Sequence, residues 1–194
     1  MTEAARKLSF EEYANLDAED WVQFGLPEGR CEYFDGEIVE LPTESELNDW
    51  VALILRDILI QYINRRLVRI GRCEVETSGR PRSRFPDLVV LREEHIPLTQ
   101  KRLFITRTMA PPQLVAEVVS PGDANHRRDY EAKRQQYQER GIPEYWLINP
   151  EQKTVTVLHL VDGQYVEFGV FRQGDRVSSA SLGELNFTCD QFFL

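Results

Sequence analysis

A chain of 194 residues with 42% hydrophobic composition can bury one substantial core, so a single domain spanning 1–194 is expected. The net charge of −9 excludes a uniformly basic nucleic-acid coat, and three cysteines with no CxxC pair exclude both a disulfide framework and a zinc finger. The longest apolar stretch, 51–60, is broken by Arg56 and Asp57, and residues 1–10 carry Glu3, Arg6 and Lys7 where a signal core would be apolar, which points to a soluble, unanchored, cytoplasmic protein.

In chain order, Ser9 followed by Glu12 reads as a capping box opening a short helix. Cys31-Glu32-Tyr33-Phe34 and Glu37-Ile38-Val39-Glu40-Leu41 flank Asp35-Gly36, a turn dipeptide that predicts a hairpin stopped by Pro42. Over 45–65 the residues Leu47, Trp50, Val51, Ile54, Leu55, Ile58, Leu59 and Tyr62 recur at steps of three and four, the period of an amphipathic helix. Strands are expected at 67–77, 85–91 and 113–119, then a helix at 125–140 ended by Gly141, then strands at 144–148 and 154–161. After the hairpin the order is α, three β, α, β, and a mixed α/β fold follows. Its central mixed sheet has helices on its flanks, and further strands follow toward the C-terminus.

Charge is unevenly distributed. Residues 1–46 hold thirteen acids against three bases, whereas 64–84 hold seven arginines, at 65, 66, 69, 72, 80, 82 and 84, against Glu74 and Glu76. That basic segment runs into Asp87, at the head of Asp87-Leu88-Val89-Val90-Leu91. A second acid, Glu117, sits inside Leu114-Val115-Ala116-Glu117-Val118-Val119. Both strands are apolar on both alternations, the pattern of central strands covered on each face. Lys133 shares a helix face with Tyr130 and Tyr137, which turns its ammonium toward the sheet. Buried carboxylates are costly without a cation nearby, so Asp87, Glu117 and Lys133 compose a candidate metal-dependent hydrolase site. The plainer alternative is a structural ion pair between Glu117 and Lys133.

These residues resemble the PD-(D/E)XK restriction-endonuclease-like nucleases and, among them, the Uma-two family. The resemblance is carried by the Glu32 hairpin, by Phe85-Pro86-Asp87-Leu88-Val89-Val90 and by Leu114 through Pro121. Asp129, Lys133 and Tyr137 add to it, as does the run Gly141-Ile142-Pro143-Glu144-Tyr145-Trp146-Leu147-Ile148-Asn149-Pro150. It implies a restriction-endonuclease-like αβββαβ core and a metal-dependent endonuclease acting on DNA. Asp87 and Glu117 would be the magnesium or manganese ligands, with Glu32 as a further acid. The parent lysine would fall at Val119, so the resemblance assigns the cation to Lys133 on the helix. Arg80, Arg82, Arg84, Arg127 and Arg128 are the candidate contacts to the nucleic-acid backbone. The chain departs from the pattern at Asn48, where relatives often carry a histidine. A non-catalytic binding member of the same fold is the alternative function. Apolar strand-like segments at 155–170 and 177–194, with Phe168, Phe171, Phe187, Phe192 and Phe193, suggest a homodimer or a covered sheet.

Overall fold

The computed structural model describes residues 7–193. Residues 1–6 of the N-terminal stretch read above, and Leu194 of the C-terminal one, lie outside the described residues.

Two short helices come first, α1 (Phe10–Asn15) and α2 (Ala18–Gln23). Ser9 and Glu12 form the expected capping box, and Asp17 with Asp20 forms a second. The hairpin is β1 (Cys31–Phe34) and β2 (Glu37–Glu40); Asp35 and Gly36 both take positive φ, 46° and 95°, as a two-residue turn of the right-handed twist demands. Helix α3 (Glu46–Leu59) follows its N-cap Ser45. It ends earlier than the periodicity suggested, and its buried stripe is Val51, Ala52, Leu55, Ile58 and Leu59. Leu47 and Trp50 are on the other side, about half-exposed.

Strands β3 (Val68–Ile70) and β4 (Glu74–Glu76) replace the longer strand expected at 67–77; β5 (Ser83–Arg84) precedes the one expected at 85–91, which is shortened to β6 (Leu88–Val90). The first breaks at Gly71, whose φ of 56° turns the chain out of the sheet; the second starts only after Pro86, which has no N–H to give a ladder. After the one-turn helix α4 (His95–Leu98) come β7 (Phe104–Ile105) and β8 (Leu114–Val118). The next helix has three parts: α5 (Asp123–Arg127), a π-helical stretch (Arg128–Lys133) and α6 (Arg134–Arg140), capped by Gly141 at φ 78°. Then come β9 (Glu144–Asn149), β10 (Thr154–Val161), β11 (Gln164–Phe171), β12 (Arg176–Ser179) and β13 (Gly183–Thr188).

The central sheet has six strands in the order β11-β10-β9-β8-β6-β3 and is mixed: β8 and β9 run parallel, the other neighbours antiparallel. The expected core order α, β, β, β, α, β is therefore kept by α3, β3, β6, β8, the tripartite helix and β9. Strands β4, β5 and β7 leave it to form a separate three-stranded sheet, and β12 pairs with β13. One large core joins α3, the sheet and the C-terminal strands. A smaller cluster of Leu8, Phe10, Tyr13, Leu16, Tyr33 and Phe104 seats the N-terminal helices. Phe187 and Phe192 are buried in the chain's own core, while Phe168 stays exposed. Among the described residues no helix is long and apolar enough to cross a membrane.

Candidate active site

The ladder between β6 and β8 pairs Leu88 with Ala116, Val89 with Val115 and Val90 with Leu114. Continuing that antiparallel register by one residue sets Asp87 opposite Glu117, and directly opposed residues of neighbouring strands project on the same face. Asp87 Oδ2 accepts a hydrogen bond of 2.7 Å from the Val118 amide, which fixes its carboxylate beside that of Glu117.

Glu117 is buried, with both oxygens engaged. Oε2 accepts from Lys133 Nζ at 2.7 Å and Oε1 from the Tyr137 hydroxyl at 2.6 Å. Lys133 also lies 3.1 Å from Asp129 Oδ1, and Asp129 accepts from Arg128 Nε at 2.9 Å. Asp129 and Lys133, four residues apart, lie within a π-helical stretch, and wide turns of this kind recur at functional sites. Two cations, Lys133 and Arg128, thus meet three carboxylates, those of Asp87, Glu117 and Asp129, and the cluster is one positive charge short of neutral.

The protonation equilibria follow from burial and from that imbalance. Burial pushes Asp87 well above the usual carboxylate range, the Glu117 charge adds to this, and Lys133 only partly offsets it. Burial also raises Glu117, against the pull of Lys133. For Lys133, burial pulls downward but the charges of Glu117, Asp129 and Asp87 outweigh it, so its ammonium stays protonated.

Asp87 opens onto a cleft of about 940 Å³ between the hairpin region, α3 and the β3–β4 turn. Glu44 lines the same cleft and adds its charge to those raising Asp87. It is held by Arg30 at 3.0 Å and by Asn48 Nδ2 at 2.9 Å. Asn48 also donates to Ser120 Oγ at 2.9 Å and thereby ties the start of α3 to the exit of β8. Sequence reasoning passed over Glu44; its signal was an acid one residue before the N-cap of the long helix, four before Asn48.

The remaining candidates are scattered. Glu32 is buried and its carboxylate faces Arg84 Nη1 at 3.1 and 3.2 Å, while Arg84 Nε donates to Gln136 Oε1 at 2.8 Å. Arg84 is thus turned inward, so its guanidinium is spent inside the protein rather than on a nucleic-acid backbone. Arg82 stacks over Phe10 at 4.0 Å, and Arg80 pairs with Asp35. Arg127 is exposed at the end of α5. Arg128, 40% exposed, is the candidate arginine drawn to the site, since the charges of Glu117 and Asp87 both act on it.

Among the described residues, no three His, Cys, Asp or Glu side chains converge as a ready-made metal cluster. The donors present still suit magnesium, which accepts one or two carboxylates and keeps several waters. Asp87 Oδ1 has no protein hydrogen bond among the described residues, and each Glu117 oxygen retains a second lone pair.

Comparison with known proteins agrees with this architecture. A solved structure from Anabaena variabilis ATCC 29413, titled "a putative nuclease belonging to DUF820", matches with a TM-score of 0.60 at 19% identity, over 92% of this chain and 97% of that one. No curated protein matches. Residues 10–190 match the Uma2 family, described as "Putative restriction endonuclease", and the chain belongs to that family.

Proposed function

We propose that this protein is a metal-dependent endonuclease that hydrolyses DNA phosphodiester bonds. The observation carrying the reading is the cross-strand placement of Asp87 beside Glu117 with Lys133 2.7 Å from the latter. Asp87 and Glu117 would hold magnesium or manganese. The bound ion would supply Lewis acidity and a water of lowered pKa. Lys133, fixed between Glu117 and Asp129, provides a permanent positive charge for the attacked phosphate, a preorganised contribution that needs no rearrangement during reaction. Tyr137 holds the Glu117 carboxylate in orientation, and Arg128 offers a guanidinium at the side of the cluster.

The test joins binding to cleavage. Wild-type protein should bind manganese in calorimetry and nick DNA in magnesium or manganese. Asp87→Asn and Glu117→Gln should each lose cleavage and weaken manganese binding by about 10- to 100-fold. If both variants bind manganese like wild type, Asp87 and Glu117 are not the ligands.

A second reading is a non-catalytic, nucleic-acid- or protein-binding member of the fold. It is favoured by the engagement of both Glu117 oxygens within the protein, the pattern of a structural ion pair. Persistent absence of cleavage with intact manganese-free folding would select it. The protein is further proposed to be a homodimer. Support comes from β11, which ends the central sheet and leaves Val166 and Phe168 exposed next to Val161. A monomeric mass by light scattering at micromolar concentration would remove that proposal.

A further inference from the structure

A second depression, of about 250 Å³, continues the cleft: Glu28, Gly29, Arg72, Phe85 and Leu103 line both. Phe85 stands two residues before Asp87, so the two hollows meet next to the acid pair. The second hollow differs in chemistry from the first. One wall is Trp21, whose ring is fixed before any ligand arrives: its Nε1 donates to the Pro27 carbonyl at 2.7 Å, and Tyr13 and Arg102 pack against it. The ring nevertheless remains half-buried and forms part of the hollow, as does that of Phe85.

Charge separates the two ends. Of the acids lining the second hollow, Asp17 is spent capping α2, and Glu74 is held by Tyr13 at 2.6 Å and Arg102 at 2.6 Å, which leaves Glu28. Arg102 is itself committed to Glu74 and the Tyr13 carbonyl. Arg72 and Lys101 are exposed and form no ion pair among the described residues, so the free charge here is cationic. The first hollow is acidic, with Glu28, Glu40, Glu44, Asp49 and Asp87 against Arg30 and Arg72. Fixed aromatic faces beside exposed cations are the chemistry that holds a base and its phosphate without reading sequence. The larger hollow is at the upper end of pockets that enclose small ligands, and its acidic walls penalise a duplex, with two phosphate backbones, more than a single strand that brings one.

We propose that the hollow at Trp21, Phe85, Arg72 and Lys101 is a nucleotide subsite, and that the cleft takes single-stranded DNA, one base against the aromatic pair while the neighbouring phosphate approaches Asp87. This names the substrate class of the nuclease site and rests on that reading. Binding is measured by fluorescence anisotropy with metal-free Asp87→Asn protein, which removes cleavage and one repelling charge, on a labelled oligo(dT), a blunt duplex of equal length and an oligo(rU). The single DNA strand should bind at least about tenfold tighter than the duplex, and Lys101→Glu or Arg72→Glu, both at exposed positions, should each weaken it by about tenfold. Trp21→Phe, which keeps a stacking face, should weaken it less than Trp21→Ala. Equal or tighter duplex binding, or unchanged binding by both charge reversals, overturns the subsite. Equal affinity for oligo(rU) overturns the commitment to DNA. If these binding results hold while wild-type protein with magnesium or manganese cleaves nothing, the nuclease reading fails and the subsite stands.

Discussion

Asp87 reaches from the head of β6 to the Val118 amide of β8 at 2.7 Å, and this contact keeps its carboxylate, at the cleft wall, side by side with the buried one of Glu117. Burial and the Glu117 charge raise Asp87 well above the usual carboxylate range. A folded-state pKa above the unfolded value means that the folded protein binds more protons in the window between them. Stability therefore falls as pH rises through that window. Asp87→Asn should remove this part of the slope, because the amide oxygen can still accept from Val118 and carries no charge. In urea denaturation of metal-free protein, the variant should be more stable than wild type near pH 8 and gain less on acidification to about pH 5. A variant less stable near pH 8 would contradict the placement.

The same proton competes with metal. Manganese affinity of wild-type protein should rise with pH above the usual carboxylate range, with proton release on binding, because the ligand must lose its proton first. Calorimetry in buffers of different ionisation enthalpy measures the release. An affinity independent of pH would exclude Asp87 from the ligand set.

Lys133→Met should be strongly destabilising, by about 3–5 kcal/mol, because Glu117 and Asp129 lose their shared cation while remaining buried. Cleavage should fall as well, while manganese affinity is kept or increased. Glu117→Gln combined with Lys133→Met should recover part of the lost stability, a coupling that a double-mutant cycle reads directly.

Glu32 and Arg84 make a separate prediction. Their contact, Arg84 Nη1 shared between both Glu32 oxygens, joins the β1–β2 hairpin to β5, and Gln136 extends it to α6. Arg84→Met should cost about 3–5 kcal/mol by leaving Glu32 buried without its partner. Glu32→Gln should lower stability but leave manganese affinity within about twofold of wild type, since its carboxylate is directed at Arg84. A loss of metal binding in Glu32→Gln would add Glu32 to the ligands.

Glu144 closes the C-terminal hairpin onto the sheet. It accepts from Trp146 Nε1 at 2.6 Å, from the Ser179 and Ser181 hydroxyls at 3.0 and 2.5 Å, and from the Ser181 amide at 3.0 Å. Glu144→Ala would strand these donors and should cost about 2–4 kcal/mol in chemical denaturation. The indole fluorescence should redden as Trp146 loses its partner.

Residues whose identity constrains their own surroundings were legible from the sequence. Alternating and doubly apolar runs located β6, β8 and β9, and Asp35-Gly36 located the hairpin, because each pattern depends only on neighbours in the chain. The stripe bearing Lys133 and Tyr137 showed that the lysine faces the sheet. What the pattern could not carry was partnership across long separations. Arg84 looked like one more exposed basic residue until Glu32, 52 positions away, met it inside the protein. Glu44 and Asn48 bear on the site only because the start of α3 lies against the exit of β8, 72 residues further along at Ser120. The break of 67–77 into strands of two different sheets was likewise hidden, since one Gly71 decides it.

The π-helical stretch Arg128–Lys133 has a consequence for how this lysine is phased. In an uninterrupted α-helix each residue advances about 100° around the axis, so removing one residue between 128 and 132 would restore regular winding and swing the two halves by about that angle relative to each other. Lys133 and Tyr137 could keep their seats against Glu117, or Asp129 could keep its carbonyl on the Tyr145 hydroxyl, but both could not meet the sheet at once. The wide turn thus acts as a phase adjuster, letting one helix serve a sheet-packing stripe and a charged cluster whose periods do not agree.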